Sequence, residues 1–185
     1  MELVSELKKE IVTVAKKYNG LKEIPGNQGF YDKAFEQRSK QAGFQKGFAW
    51  CMIACEVFLI EAIENIEKKY GKDLTKLKNE VKTEITPSTI GTWNNFKESV
   101  SFLRLTANPL PGDIVIWVNT ASRGTGHAGI VIGVLSNGSF QTIEGNTNND
   151  GSREGNQIAI KSRLVERDGK GLDVLGFIRI KEGVI

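Results

Sequence analysis

The one histidine and the two cysteines of this chain are the residues whose types point first to chemistry. His127 lies in the run GTGHAGIVIGV, at the start of an apolar, β-branched stretch that reads as a strand. A lone histidine also fits a structural role. Here, however, Gly126 and Gly129 strip bulk from around the imidazole, and the rest of the strand is apolar. An imidazole in such a place is suited to proton transfer near neutral pH. Cys51, in AWCMIAC, opens a long helical pattern, and a thiol at a helix N-terminus sits at the positive end of the dipole, which favours a nucleophilic thiolate. Its alternative is a small core residue, and Cys55, one turn deeper, fits that alternative better. Side chains one helical turn apart have Cβ atoms about 5–6 Å from each other, too far for a disulfide, so both cysteines read as free thiols, as in a reducing compartment. Two thiols, one imidazole and an acid could in principle hold zinc, but CxxxC within one helix lacks the usual ligand spacing.

A carboxylate and an amide come to the imidazole by strand pairing. Asn137-Gly138 between two strand-like runs is a hairpin turn signal. Either a two-residue or a four-residue turn there pairs odd-numbered with even-numbered residues, so His127 shares a face with Glu144 and Asn146 in both registers, barring a bulge. The longer turn puts Asn146 directly opposite His127. Such neighbours would hold the tautomer and orientation of a catalytic imidazole.

The elements that carry these residues follow from periodicity. Leu3, Leu7, Ile11, Val14, Ala15 and Tyr18 predict a helix over about 3–18, stopped by Gly20. Residues 26–47 read as loop with a short helix. Trp50, Ile53, Ala54, Val57, Phe58, Ala62, Ile63 and Ile66 predict a long helix ending near Gly71. Residues 68–84 hold six Lys and three acidic residues and read as a solvated helix or loop face without chemistry. Thr86 as cap and Pro87 as first-turn residue predict one more short helix. Five strands are then expected, over 113–118, 127–134, 139–144, 157–162 and 174–180, with 146–156 as a surface loop. Helices first and antiparallel sheet second make an α+β domain, with residues 1–185 as a single unit.

Composition excludes several classes. The chain has 185 residues, 39% hydrophobic and 25% charged, which argues against disorder and against a disulfide-stapled miniprotein. A net charge of +3 without a dense basic stripe argues against a nucleic-acid partner. No run approaches the roughly 20 apolar residues of a membrane span. The N-terminus MELVSELKKEIVTVAKK lacks the basic-then-apolar order of a signal peptide, so cytoplasmic synthesis is expected.

The runs GFAWCMIACEVF, PGDIVIW, GTGHAGIVIGV and TIEGNTN, in that order, closely resemble CHAP domains (cysteine, histidine-dependent amidohydrolases/peptidases), relatives of NlpC-type peptidases in the papain-like superfamily. The resemblance spans Leu3 to Ile180 and implies a papain-like fold, with helices packed on an antiparallel sheet of about five strands. It implies Cys51 as nucleophile, His127 as general base, Glu144 as orienting acid and Asn146 as the accompanying polar residue. The Cys51 backbone N–H is a candidate oxyanion donor, and Gln45, six residues before Cys51, is a candidate second donor by analogy with papain-like enzymes. Trp50, Trp93, Trp117 and Tyr31 are candidates for the cleft walls, with core packing as their alternative. Some family members carry an acidic calcium loop before the cysteine, whereas 42–50 here holds no Asp or Glu; neither calcium nor any other metal or cofactor is expected.

The implied activity is hydrolysis of an amide in peptidoglycan or a muropeptide, either the N-acetylmuramoyl-L-alanine bond or a bond of the stem or cross-bridge. A monomeric phage or prophage endolysin is expected, reaching the wall or periplasm by holin-dependent or other export. The alternatives are an exported antibacterial amidase toxin, which would have an immunity or inhibitor protein as partner, and an inactive wall-binding module. Retention of Cys, His, Glu and Asn together argues against the last.

Overall fold

A computed structural model describes residues 2–98, 101–148, 155–165, 169 and 171–185. Its helices are α1 (Glu2–Lys17), α2 (Lys33–Gln41), α3 (Cys51–Tyr70), α4 (Thr75–Glu84) and α5 (Thr89–Glu98). Its strands are β1 (Glu23–Ile24), β2 (Gly29–Phe30), β3 (Leu103–Thr106), β4 (Ile114–Asn119), β5 (Gly126–Val134), β6 (Phe140–Thr147), β7 (Gln157–Arg163) and β8 (Leu172–Ile180). Two strands form a small hairpin, β1 with β2, and six form an antiparallel sheet in the order β3-β8-β4-β5-β6-β7. The α+β reading holds, with one strand more in the main sheet than the five expected. The sixth, β3, was hidden because LRLT is only four residues long and carries an exposed Arg104.

Helix α3 is the centre of the helical layer. Its first two and a half turns are buried on every side, from Cys51 to Leu59, and it packs against α1 as well as β5 and β6. The stripe Val4, Leu7, Ile11, Val14 and Ala15 of α1 covers its other flank. The helix that follows residue 86 starts later than Thr86-Pro87 predicts. Ser88 is the residue whose Oγ accepts from the Gly91 N–H at 3.0 Å, while Thr86 bonds instead with Thr92. The polar 68–84 segment is the end of α3 and the whole of α4, anchored by Leu77 and Val81.

Strand alternation gives the sheet two different faces. Ile114, Ile116, Ala128, Ile130, Ile143 and Ile158 meet the helices in the main core. Val115, Trp117, Val131, Phe140, Val174 and Phe177 form a second, smaller apolar cluster on the other face. His127, being odd-numbered like Val131 on the same strand, belongs with that second face. The PGD motif serves the fold: buried Asp113 pairs with Arg179 through Nε at 2.9 Å and Nη2 at 2.6 Å and accepts from the Leu110 N–H, tying the start of β4 to β8.

The β5–β6 register departs from both turns considered and returns to one of them. Near the turn Val134 faces Phe140, and Leu135 N–H donates to the Ser139 carbonyl, so the connection is three residues long. An irregularity between Val131 and Gly133 then offsets this by one residue. Beyond it Val131 faces Thr142 and Ile130 faces Ile143, the pairing that a four-residue turn would give. Asn146 and Thr147, expected in a surface loop, are buried at the end of β6, and 149–154 of that loop lie outside the described residues.

Candidate active site

Cys51 is the first residue of α3, and its position is set by what brackets it. Trp50, the cap residue, makes no side-chain hydrogen bond to the first turn, so the N–H groups there have no side-chain partner in the cap. Its fully buried indole packs edge-on against Phe30 at 4.9 Å and donates Nε1–H to the buried Glu23 carboxylate. Below it, the helix rests on the backbone of β6. A β-carbon on Gly145 would lie 2.6 Å from Ala54 Cβ and 2.7 Å from the Trp50 ring, so glycine is what lets α3 approach this closely.

His127 meets Cys51 from the sheet side, and both line one cleft with Asn146, Thr89 and the 124–126 backbone. The imidazole is 3% exposed and stacks on Trp117, ring centres 5.6 Å apart and planes 27° from parallel. Its Nε2 lies 3.0 Å from Glu144 Oε2, which leaves Nδ1 for the cysteine. Burial, the largest influence on His127, works against its protonation. Hydrogen bonding with the Cys51 sulfur and with Glu144 outweighs burial and raises the pKa to about 9.

Glu144 is fully buried yet ionised. Burial again is the largest influence and pushes its pKa up, but Arg163 and His127 prevail and hold it down at about 2. Every lone pair region of the carboxylate is engaged. Oε1 accepts from Thr142 Oγ1 at 2.6 Å and from Arg163 Nε at 2.7 Å, while Oε2 faces His127 and Arg163 Nη2. The Glu144 stem reaches His127 by crossing Gly129, where a β-carbon would lie 2.7 Å from Glu144 Cγ and 3.0 Å from the Ile143 carbonyl oxygen.

The four residues singled out from the sequence therefore converge, in unequal ways. Glu144 holds the imidazole; Asn146 forms no hydrogen bond with it. Asn146 sits instead in the left-handed region at φ 53°, 2% exposed, with Oδ1 unpartnered among the described residues at the cleft wall. Gln45 is exposed and does not line the cleft. Trp50 and Trp117 are buried, Trp93 packs on the sheet at Gly176, and Tyr31 is exposed, and none of these aromatics lines the cleft. Cys55 is fully buried, and burial raises its pKa.

Thr142 and Arg163 are components that sequence reasoning missed, and Trp117, a candidate for the cleft wall, instead stacks on the imidazole. Alternation places Thr142 on the face of Glu144 two residues on, a signal that was available. The pairing of β6 with β7 that delivers Arg163 was not legible, because nothing in 148–156 fixes that register. The CHAP domain family model matches residues 43–146, a span that contains Cys51, His127, Glu144 and Asn146. No curated protein matches the chain.

Proposed function

The chain belongs to the CHAP domain family, whose amidohydrolases and peptidases act on peptidoglycan, and from that premise we propose that it cleaves a wall amide by a cysteine mechanism. The observation that carries the reading is the convergence at one cleft of a helix-start cysteine and a histidine that Glu144 holds by one nitrogen. In the proposed cycle His127 Nδ1 takes the thiol proton as Cys51 Sγ attacks the amide carbonyl. The C=O π pair moves onto oxygen, and that oxyanion is stabilised by the Cys51 backbone N–H at the uncapped helix start. His127 gives its proton to the amide nitrogen, the C–N bond breaks and the amine departs, leaving a thioester. Water, deprotonated by His127, attacks the thioester and releases a carboxylic acid and the free thiol. A histidine that binds its proton more tightly than an ordinary imidazole is suited to the first transfer. Glu144 keeps Nε2 occupied, so Nδ1 is the nitrogen that works.

The bond is either the N-acetylmuramoyl-L-alanine amide or a peptide bond of the stem or cross-bridge. The cellular role we favour is a phage or prophage endolysin, made in the cytoplasm and acting in the wall after holin-dependent or other export. No helix among the described residues is long and apolar enough to cross a membrane. Mass spectrometry of fragments released from purified sacculi tests the reading. Fragments carrying a new amine and carboxyl at one kind of bond support it and identify the bond. An absence of fragments, with the protein co-sedimenting with sacculi, favours an inactive wall-binding module instead.

A further inference from the structure

Arg163 lies on β7, beyond the span of the family match, yet it closes a ring around the imidazole. Its guanidinium binds both oxygens of Glu144, Nε to Oε1 at 2.7 Å and Nη2 to Oε2. Glu144 Oε2 binds His127, His127 stacks on Trp117, and the Arg163 Cζ sits 5.2 Å from the centre of that same indole. The ring is therefore His127, Glu144, Arg163, Trp117 and back to His127. We infer that Arg163 is a positioning residue for His127 that acts through Glu144: it offsets the charge of the buried carboxylate and thereby sets the pH range in which the imidazole exchanges its proton. The inference rests on the cysteine mechanism proposed above for its catalytic meaning, but the proton affinity of His127 can be measured without any substrate.

The sign follows from charge. Among the described residues, the titratable groups facing Glu144 are His127 from β5, Arg163 from β7 and, through space, Cys55 from α3; His127 in turn faces Cys51. With Arg163 present, the carboxylate that holds the imidazole is already half of an ion pair. Removing the guanidinium leaves an unbalanced negative charge beside His127 in a site that is almost fully buried. Thr142 Oγ1 still holds Oε1, and the Glu144 stem still lies across Gly129, so the carboxylate stays in place and the loss is one of charge. A nearby cation shifts a buried group by about 1–3 pH units, and its loss makes every group it faced bind protons more tightly. The imidazolium then becomes harder to deprotonate.

The test uses the fact that His127 is the chain's one histidine, so its imidazole gives an unambiguous NMR signal. Titrations of the full chain, of Arg163→Gln and of Arg163→Lys are compared. The inference expects the His127 midpoint to rise by about one pH unit in Arg163→Gln and to return most of the way in Arg163→Lys, which restores the charge without the fork. Both limbs of the kcat/KM profile on wall fragments should move up with it. If Arg163→Gln does not fold, Arg163→Met, whose stem still covers Trp117, carries the same expectation. A midpoint that stays put or falls in the neutral variants, with only thermal stability changed, would overturn the inference and leave Arg163 as a purely structural ion-pair partner. A raised midpoint in a protein that cleaves no wall amide would retain the coupling and reject the hydrolase reading, so the two failures are distinguishable.

Discussion

Replacing Gly129 with Ala probes how Glu144 reaches His127. The new β-carbon would lie 2.7 Å from Glu144 Cγ and 3.0 Å from the Ile143 carbonyl oxygen. Carbon atoms pack at about 3.5–4.0 Å, so about 1 Å must be relieved. The Ile143 carbonyl belongs to the β6 backbone and gives little, which leaves the Glu144 stem to move. A displacement of about 1 Å carries the bond between Nε2 and Oε2 out of hydrogen-bonding range. Losing a charge-assisted buried bond costs about 1.5–3 kcal/mol, and overpacking adds about 1–3 kcal/mol. We expect a net loss of about 3 kcal/mol, or about 9 °C in Tm for a chain of this size. A catalytic group misplaced by about 1 Å loses about 100-fold in kcat/KM. The His127 midpoint should fall from about 9 toward the ordinary imidazole value. Thermal melting, wall-fragment turnover and the His127 NMR titration read these three effects separately. A Gly129→Ala protein with the native Tm, the native titration and turnover within a factor of about three would refute the argument.

Further perturbations separate the other parts of the account. Alkylation of the native protein should label Cys51 and spare the fully buried Cys55, with both labelled in denaturant, as mass spectrometry of the peptides would show. Glu56 is buried on α3, and burial, opposed by Lys82, raises its pKa to about 8. Such a carboxyl stays protonated in the fold while the unfolded chain ionises, so it lowers stability progressively as pH rises from about 4.5 to 8. Glu56→Gln should therefore match the native stability at pH 4 and exceed it at pH 8, by about 4 kcal/mol in denaturant melts. The raised pKa of His127 makes stability fall with pH in the same sense, over a higher window. Its contribution to stability is complete below about pH 6.5 and is lost as pH rises through about 9, so His127→Gln should cost most stability in mildly acidic solution. Turnover should be unchanged by EDTA, since no step of the proposed cycle requires a metal ion.

The sequence carried the site further than it carried the fold around it. Cys51 and His127 were legible because a thiol at a helix start and a lone imidazole in an apolar strand are each out of place without a task. Glu144 was legible through hairpin parity, and that inference survived two irregularities because they offset each other: a three-residue connection and a bulge at Val131/Gly133. Asn146 was found by the same parity, but it forms no hydrogen bond with His127 and lies in the left-handed region, a conformation that Asn tolerates better than most residues. Arg163 was beyond reach, because its place depends on how β7 registers against β6, which no turn signal specifies. The role of Gly145 in seating α3 needed the packing of Trp50 and Ala54 to become visible. The Thr86-Pro87 cap failed by two residues because Ser88, an equally good cap, lies where the helix actually begins.

The most direct test of the central claim is the count of new free amines and new reducing ends released from purified peptidoglycan by the native protein and by Cys51→Ala. Amide hydrolysis through the Cys51 thiol predicts that amines accumulate with the native protein, that reducing ends do not, and that Cys51→Ala releases neither. Reducing ends without amines, or amines released equally by Cys51→Ala, would contradict it.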